Sequence, residues 1–121
     1  MKNFQEEKIT PDQLREKIKS FYKEDEWHFI TINGTDTGKS IEVKYFFAKY
    51  GKKEPVYALS LEIDYDQTLP SITDLIPSAW IAEEELYDLL GVKVEKAKGG
   101  IFLEPDSPKA PLRKSFQPKQ K

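Results

Sequence analysis

The sequence predicts a two-layer α+β fold: a mostly antiparallel, mixed sheet with helices on one face and an extended C-terminal tail. Three observations carry this expectation. Leu14, Ile18 and Phe21 recur at helical spacing near the start of the chain. Three runs rich in β-branched and aromatic residues follow, separated by turn residues. A second helical pattern, rich in acids, comes next and gives way to a proline-rich end.

Residues 1–10 are polar and are expected to be frayed. Thr10-Pro11-Asp12 is a helix start, with Thr10 as N-cap and Pro11 at the first helical position. A helix is expected over 11–23, laying Leu14, Ile18, Phe21 and Tyr22 on the core. WHFITI, from Trp27 to Ile32, reads as a strand, and residues 33–40 as a turn. Glu42 to Tyr50 alternates, with Val43, Tyr45 and Phe47 on one side. After a turn over 51–55, Val56 to Ile63 alternates again, with Tyr57, Leu59, Leu61 and Ile63 facing inward. Three strands joined by short turns make an antiparallel meander.

Asp64 to Pro70 is a polar connection. Ser71-Ile72-Thr73-Asp74 matches a capping box and is expected to start a short helix that Pro77 interrupts. A helix over about 79–90 follows, with Ser78 as N-cap and Gly91 in the left-handed position that closes it. Val92 to Val94 and Ile101 to Leu103 are short strand candidates. These elements define a domain over 1–103. The segment 104–121 holds four of the eight prolines and five basic residues. It is expected to be extended and mobile until it lies along a partner.

At 121 residues one domain with a single core is expected. Cysteine is absent, which excludes disulfides, thiolate chemistry and iron–sulfur ligation within this chain. A net charge of −2 lacks the basic excess of a nucleic-acid footprint. The first residues carry no apolar stretch of the signal-peptide kind. No apolar run approaches the roughly 20 residues that span a bilayer, so membrane association is expected to go through another protein.

GTDTGKS, residues 34–40, has one residue too few for a Walker loop and leads into a strand instead of a helix. It reads as a hairpin turn. His28 is the only histidine and cannot build a zinc site without further ligands, so it reads as structural. Asp64 and Asp66 read as solvated loop acids. The stretch IAEEELYDLLGV, from Ile81 to Val92, asks for more. Glu83, Glu84 and Glu85 suit the positive end of the helix dipole. Asp88 does not, because it adds a like charge four residues after Glu84 and sits near the helix C-terminus. With Trp80, Ile81, Leu86, Leu89 and Leu90 as the core stripe, the acids are expected to project from the opposite flank. They form either a solvated face or a patch for cations, supplied by this chain's own Pro111-Leu112-Arg113-Lys114 or by a partner.

Ala79-x-x-x-Glu83-x-Glu85-x-Tyr87-Asp88-Leu89-x-Gly91-Val92 resembles the signature of the 30 kDa subunit of NADH–quinone oxidoreductase. Pro111-Leu112-Arg113-Lys114 is similar to that family's second hallmark, and the resemblance covers roughly residues 10–116. Glu84 stands where the family usually carries arginine, and Leu90 where it carries phenylalanine. Lys96-Ala97-Lys98-Gly99-Gly100 replaces the usual Gly-His-Pro-Asp-Leu. These departures and the short chain resemble the small subunit of energy-converting, membrane-bound nickel–iron hydrogenases more than that of respiratory complex I. The resemblance implies a non-catalytic subunit of a cytoplasmic-side peripheral arm, without a cofactor in this chain. Its implied partner is the catalytic large subunit, with a ferredoxin-like cluster subunit nearby. Glu83, Glu85, Tyr87, Asp88, Pro111, Leu112, Arg113, Lys114 and Phe116 would form the partner interface. The rival expectation is a small stand-alone enzyme or binding domain using Glu83, Glu85 and Asp88, with a concave pocket around those carboxylates.

Overall fold

The computed structural model of the chain describes residues 4–51, 56–97 and 99. Its strands are β1 (Phe4–Lys8), β2 (Trp27–Asp36), β3 (Ile41–Lys49), β4 (Val56–Ile63), β5 (Thr68–Leu69) and β6 (Lys93–Val94). The helices are α1 (Leu14–Phe21) and α2 (Trp80–Leu90), each entered through a single 3-10 turn, Pro11–Gln13 and Pro77–Ala79. The expected strand candidate at 101–103, the 104–121 tail and most of the 51–55 turn lie outside the described residues.

The expected meander is present: β2 pairs antiparallel with β3, and β3 with β4. Alternation sets the faces. Ile41, Val43, Tyr45 and Phe47 of β3 are buried, and opposite them stand Leu59, Leu61 and Ile63 of β4. The sheet has the order β1-β4-β3-β2. Its mixed character comes from β1, which runs parallel to β4 and continues into a hydrogen bond from Ile9 N–H to the Ser60 carbonyl. This corrects the expectation of a frayed N-terminus. The exposed Gln5, Glu6, Glu7 and Lys8 give β1 no apolar pattern, because an edge strand with charged side chains needs none.

β2 is longer than expected, running through Asn33 and Gly34 to Asp36. Its register shifts between Phe29 and Thr31, so Ile30 is an extra residue and Phe29 and Ile32 both face the core. The expected hairpin at 37–40 is tied by Gly38 N–H to Asp36 Oδ1 (2.8 Å) and Ser40 N–H to Thr37 Oγ1 (3.1 Å). Gly34 belongs to the strand because α2 approaches it there. A Cβ at that position would lie 2.6 Å from Leu90 Cδ1 and 2.7 Å from Leu86 Cδ2.

The two helices divide the inner face of the sheet. α1 covers one end with Leu14 and Ile18, and Phe21 meets Trp27, Phe47 and Tyr57 edge-on at 5.0, 5.0 and 5.2 Å. α2 covers the β2 end with Leu86 and Leu90 and is closed by Gly91 in the left-handed region, as expected. β5 and β6 form a separate parallel pair that anchors the chain on either side of α2.

Candidate functional site

The acidic helix is oriented differently from the sequence expectation. With 3.6 residues per turn, Leu86 and Leu90 share one side of α2 with Ala79 of the turn that leads into it, and Glu83 stands among them. All four are buried, Glu83 at 3 % exposure. Trp80 and Ile81, expected in the core stripe, are each 50 % exposed, and Leu89 is half-buried. Glu84 and Asp88 are buried as well, Asp88 at 4 % exposure. Of the acids, only Glu85 is exposed. The expectation of a projecting acidic flank is therefore corrected.

The reason lies in the turn that precedes the helix. Glu83 accepts the Ser71 hydroxyl on Oε1 and the Ile72 N–H on Oε2, both at 2.8 Å. A buried backbone N–H needs an acceptor, and a carboxylate supplies a strong one. The same turn is held from two other directions and by a bond within itself. Arg15 of α1 donates from Nη1 to the Ser71 carbonyl (2.7 Å). Its guanidinium also grips Asp74 through two bonds of 2.7 and 2.6 Å. Glu95 Oε1 accepts the Ser71 N–H at 3.1 Å, and Thr73 Oγ1 lies 2.9 Å from the Ser71 hydroxyl. Residues 71–74 are thus a junction of α1, α2 and the segment after β6. They do not form the expected capped helix; Asp74 serves Arg15, and Ser78 makes no side-chain cap.

The electrostatics follow this geometry. Burial pushes the Glu83 carboxyl above its ordinary range, against the opposing pull of the Ile72 N–H and the Ser71 hydroxyl; neighbouring Glu84 adds to the rise. Burial also raises the Tyr45 hydroxyl well above the usual phenol range, and the charge of Glu83 raises it further. The Arg15 guanidinium holds the Asp74 carboxyl well below the usual carboxylate range.

On its other side, α2 is met by the chain at Gly99, whose N–H donates to Glu84 Oε1 at 2.8 Å. Gly99 has φ 79°, and a Cβ there would fall 2.5 Å from Tyr87 Cε1 and 3.3 Å from Asp88 Oδ1. This position therefore needs glycine. Glu83 and Glu85 point to opposite sides of the helix, so Glu83, Glu85 and Asp88 do not converge on one open pocket. Among the described residues no group of three or more His, Asp or Glu side chains is arranged to hold a metal. His28 is exposed beside the Tyr50 ring, and Asp64 and Asp66 are exposed. Pro111, Leu112, Arg113, Lys114 and Phe116 lie outside the described residues.

The sequence model of the family described as "respiratory-chain NADH dehydrogenase, 30 Kd subunit" matches residues 7–121. The chain belongs to that family. Among solved structures, this 30 kDa-type subunit resembles a chain in the membrane-bound sulfane sulfur reductase, an archaeal respiratory membrane complex. The TM-score is 0.78 at 22 % identity, over 95 % of this chain and 72 % of that one. A likeness at that identity shows the shared fold. A search of the curated proteins returns no match. Among its described residues, the subunit has no helix long and apolar enough to cross a membrane.

The geometry explains the family signature in this chain. Its first glutamate, Glu83, is an internal fastener, and Glu84 and Asp88 are packed beneath Gly99. Arg15, Ser71, Gly34 and Glu95 complete the junction, and reading the motif alone missed them. One signal was available: Glu83 lies four residues after Ala79 and three before Leu86, on the apolar side of the helix.

Proposed function

We propose that the chain is a non-catalytic structural subunit of a membrane-associated respiratory complex, docked on the catalytic large subunit of a nickel–iron hydrogenase or NADH–quinone oxidoreductase type. The family match over residues 7–121 carries this reading. The site supports it, because two of the three acids that an enzyme reading would recruit, Glu83 and Asp88, are buried. Glu83 is committed to Ser71 and Ile72, and Glu84 to Gly99. In this reading the chain holds no cofactor of its own, and a ferredoxin-like cluster subunit sits nearby in the assembly. Association with the cytoplasmic face of the membrane goes through the partner subunits. The exposed Glu85 and Tyr87 face the partner, and Pro111, Leu112, Arg113, Lys114 and Phe116 lie along it.

The test is native electrophoresis of membranes from the source organism, solubilised in mild detergent and probed for this chain. The expected result is migration in an assembly several times larger than 14.0 kDa. Migration only as a free 14.0 kDa species would refute the reading.

A further inference from the structure

Three of the five exposed large hydrophobics among the described residues lie on α2: Trp80, Ile81 and Tyr87. Trp80 and Ile81 are adjacent at the start of the helix, and Tyr87 is two turns from Trp80 on the same side. Glu85 is exposed one turn beyond Ile81. From Pro77 to Gly91 the chain carries no lysine or arginine. The outer ridge of α2 is thus apolar at its start, acidic alongside, and without positive charge.

The ridge is also held rigidly from behind. Leu86 and Leu90 close on Gly34, and Glu83 fastens the helix to Ser71 and Ile72. A preorganised helix loses little freedom on binding, which favours its use as an anchor. Tryptophan is among the residue types that dominate interface energetics when seated in a pocket.

We propose, resting on the subunit reading above, that the Trp80–Ile81 ridge is the docking surface for the large partner subunit. The partner's complement is an apolar cleft that receives the indole and the Ile81 side chain, flanked by arginine or lysine facing Glu85. Charge complementarity selects this occupant: a second copy of α2 carries no lysine or arginine to face Glu85, whereas a partner cleft rimmed by cations does. The Ile30 and Tyr50 side chains, exposed on β2 and just after β3, are not part of this surface.

The experiment uses the full chain, tagged and expressed in its native host in place of the endogenous copy. Three forms are compared on native gels of solubilised membranes: wild type, Trp80→Ser with Ile81→Ser, and Ile30→Ser with Tyr50→Ser. The expected result is that the Trp80/Ile81 variant falls out of the large assembly by more than about tenfold, while the Ile30/Tyr50 variant assembles like wild type. Glu85→Lys should lower occupancy several-fold. A photo-reactive residue at position 81 of the otherwise unaltered chain should crosslink to the large subunit, which serves as the readout if a variant fails to fold. Full assembly of the Trp80/Ile81 variant, or no crosslink to the large subunit from position 81, overturns the proposed surface and leaves the subunit reading standing. A wild-type chain found only as a monomer overturns the subunit reading itself.

Discussion

Glu83 and Glu85 are two residues apart in one acidic run, yet the structure assigns them opposite energetic roles. Glu83→Ala removes the acceptor of the Ile72 N–H, which is fully buried. An orphaned buried donor costs about 1–3 kcal/mol. The Ser71 hydroxyl loses the same carboxylate but keeps Thr73 as a partner, so its share is small. One buried methylene is lost as well, at about 0.8 kcal/mol. Relief of the desolvated charge, visible in the raised Glu83 pKa, offsets part of the total. The net loss is about 1–3 kcal/mol, or roughly a 5–20 °C fall in Tm for a domain near 100 residues. Glu85→Ala, at an exposed position, should stay within about 0.5 kcal/mol of wild type. Urea unfolding near neutral pH, followed by the fluorescence of Trp27 and Trp80, measures both variants. If the two cost the same, or if Glu85→Ala costs more, the inward fastening of α2 by Glu83 is wrong.

Gly34→Ala places a methyl group against the buried Leu86 and Leu90 and should destabilise by about 1–3 kcal/mol in the same assay. Phe21→Ala removes three edge-on ring contacts and should cost about 3 kcal/mol, with a shift in Trp27 emission. Asp74 has a folded-state pKa below its unfolded one, so its contribution is present above the unfolded value and is lost as pH falls. The stability gap between wild type and Asp74→Asn should be flat at neutral pH and shrink below about pH 4. Glu83 has the reverse sign: its raised pKa gives a contribution present below the unfolded value of about 4.3 and lost as pH rises through the folded one. Against Glu83→Gln, wild type should therefore lose relative stability on going from acid toward neutral pH.

Strong periodicity made most of the sheet legible. Val43, Tyr45 and Phe47, and then Leu59, Leu61 and Ile63, alternate without interruption, and the structure buries them all. Leu14 and Ile18 marked α1 in the same way. β1 could not be read, because its exposed residues carry no pattern and its existence depends on pairing with β4, about fifty residues away in sequence. Gly34 looked like turn chemistry because a glycine signals both a bend and a close approach, and only the position of α2 separates the two. The acidic helix failed for a related reason. Charge argued that Glu83, Glu84 and Asp88 face water, but tertiary hydrogen bonds from Ser71, Ile72 and Gly99 outweigh that preference. Those donors lie on loops, and no local pattern in the helix announces them.

Composition of the natural assembly tests the subunit reading most directly. The tagged chain is purified from native membranes in mild detergent, and the co-purifying proteins are identified and quantified by mass spectrometry. One large catalytic subunit and one cluster-binding subunit should be recovered per copy of this chain. Recovery of the chain alone, at its natural expression level and with its fold intact, would contradict the claim that it exists to be held by a larger redox protein.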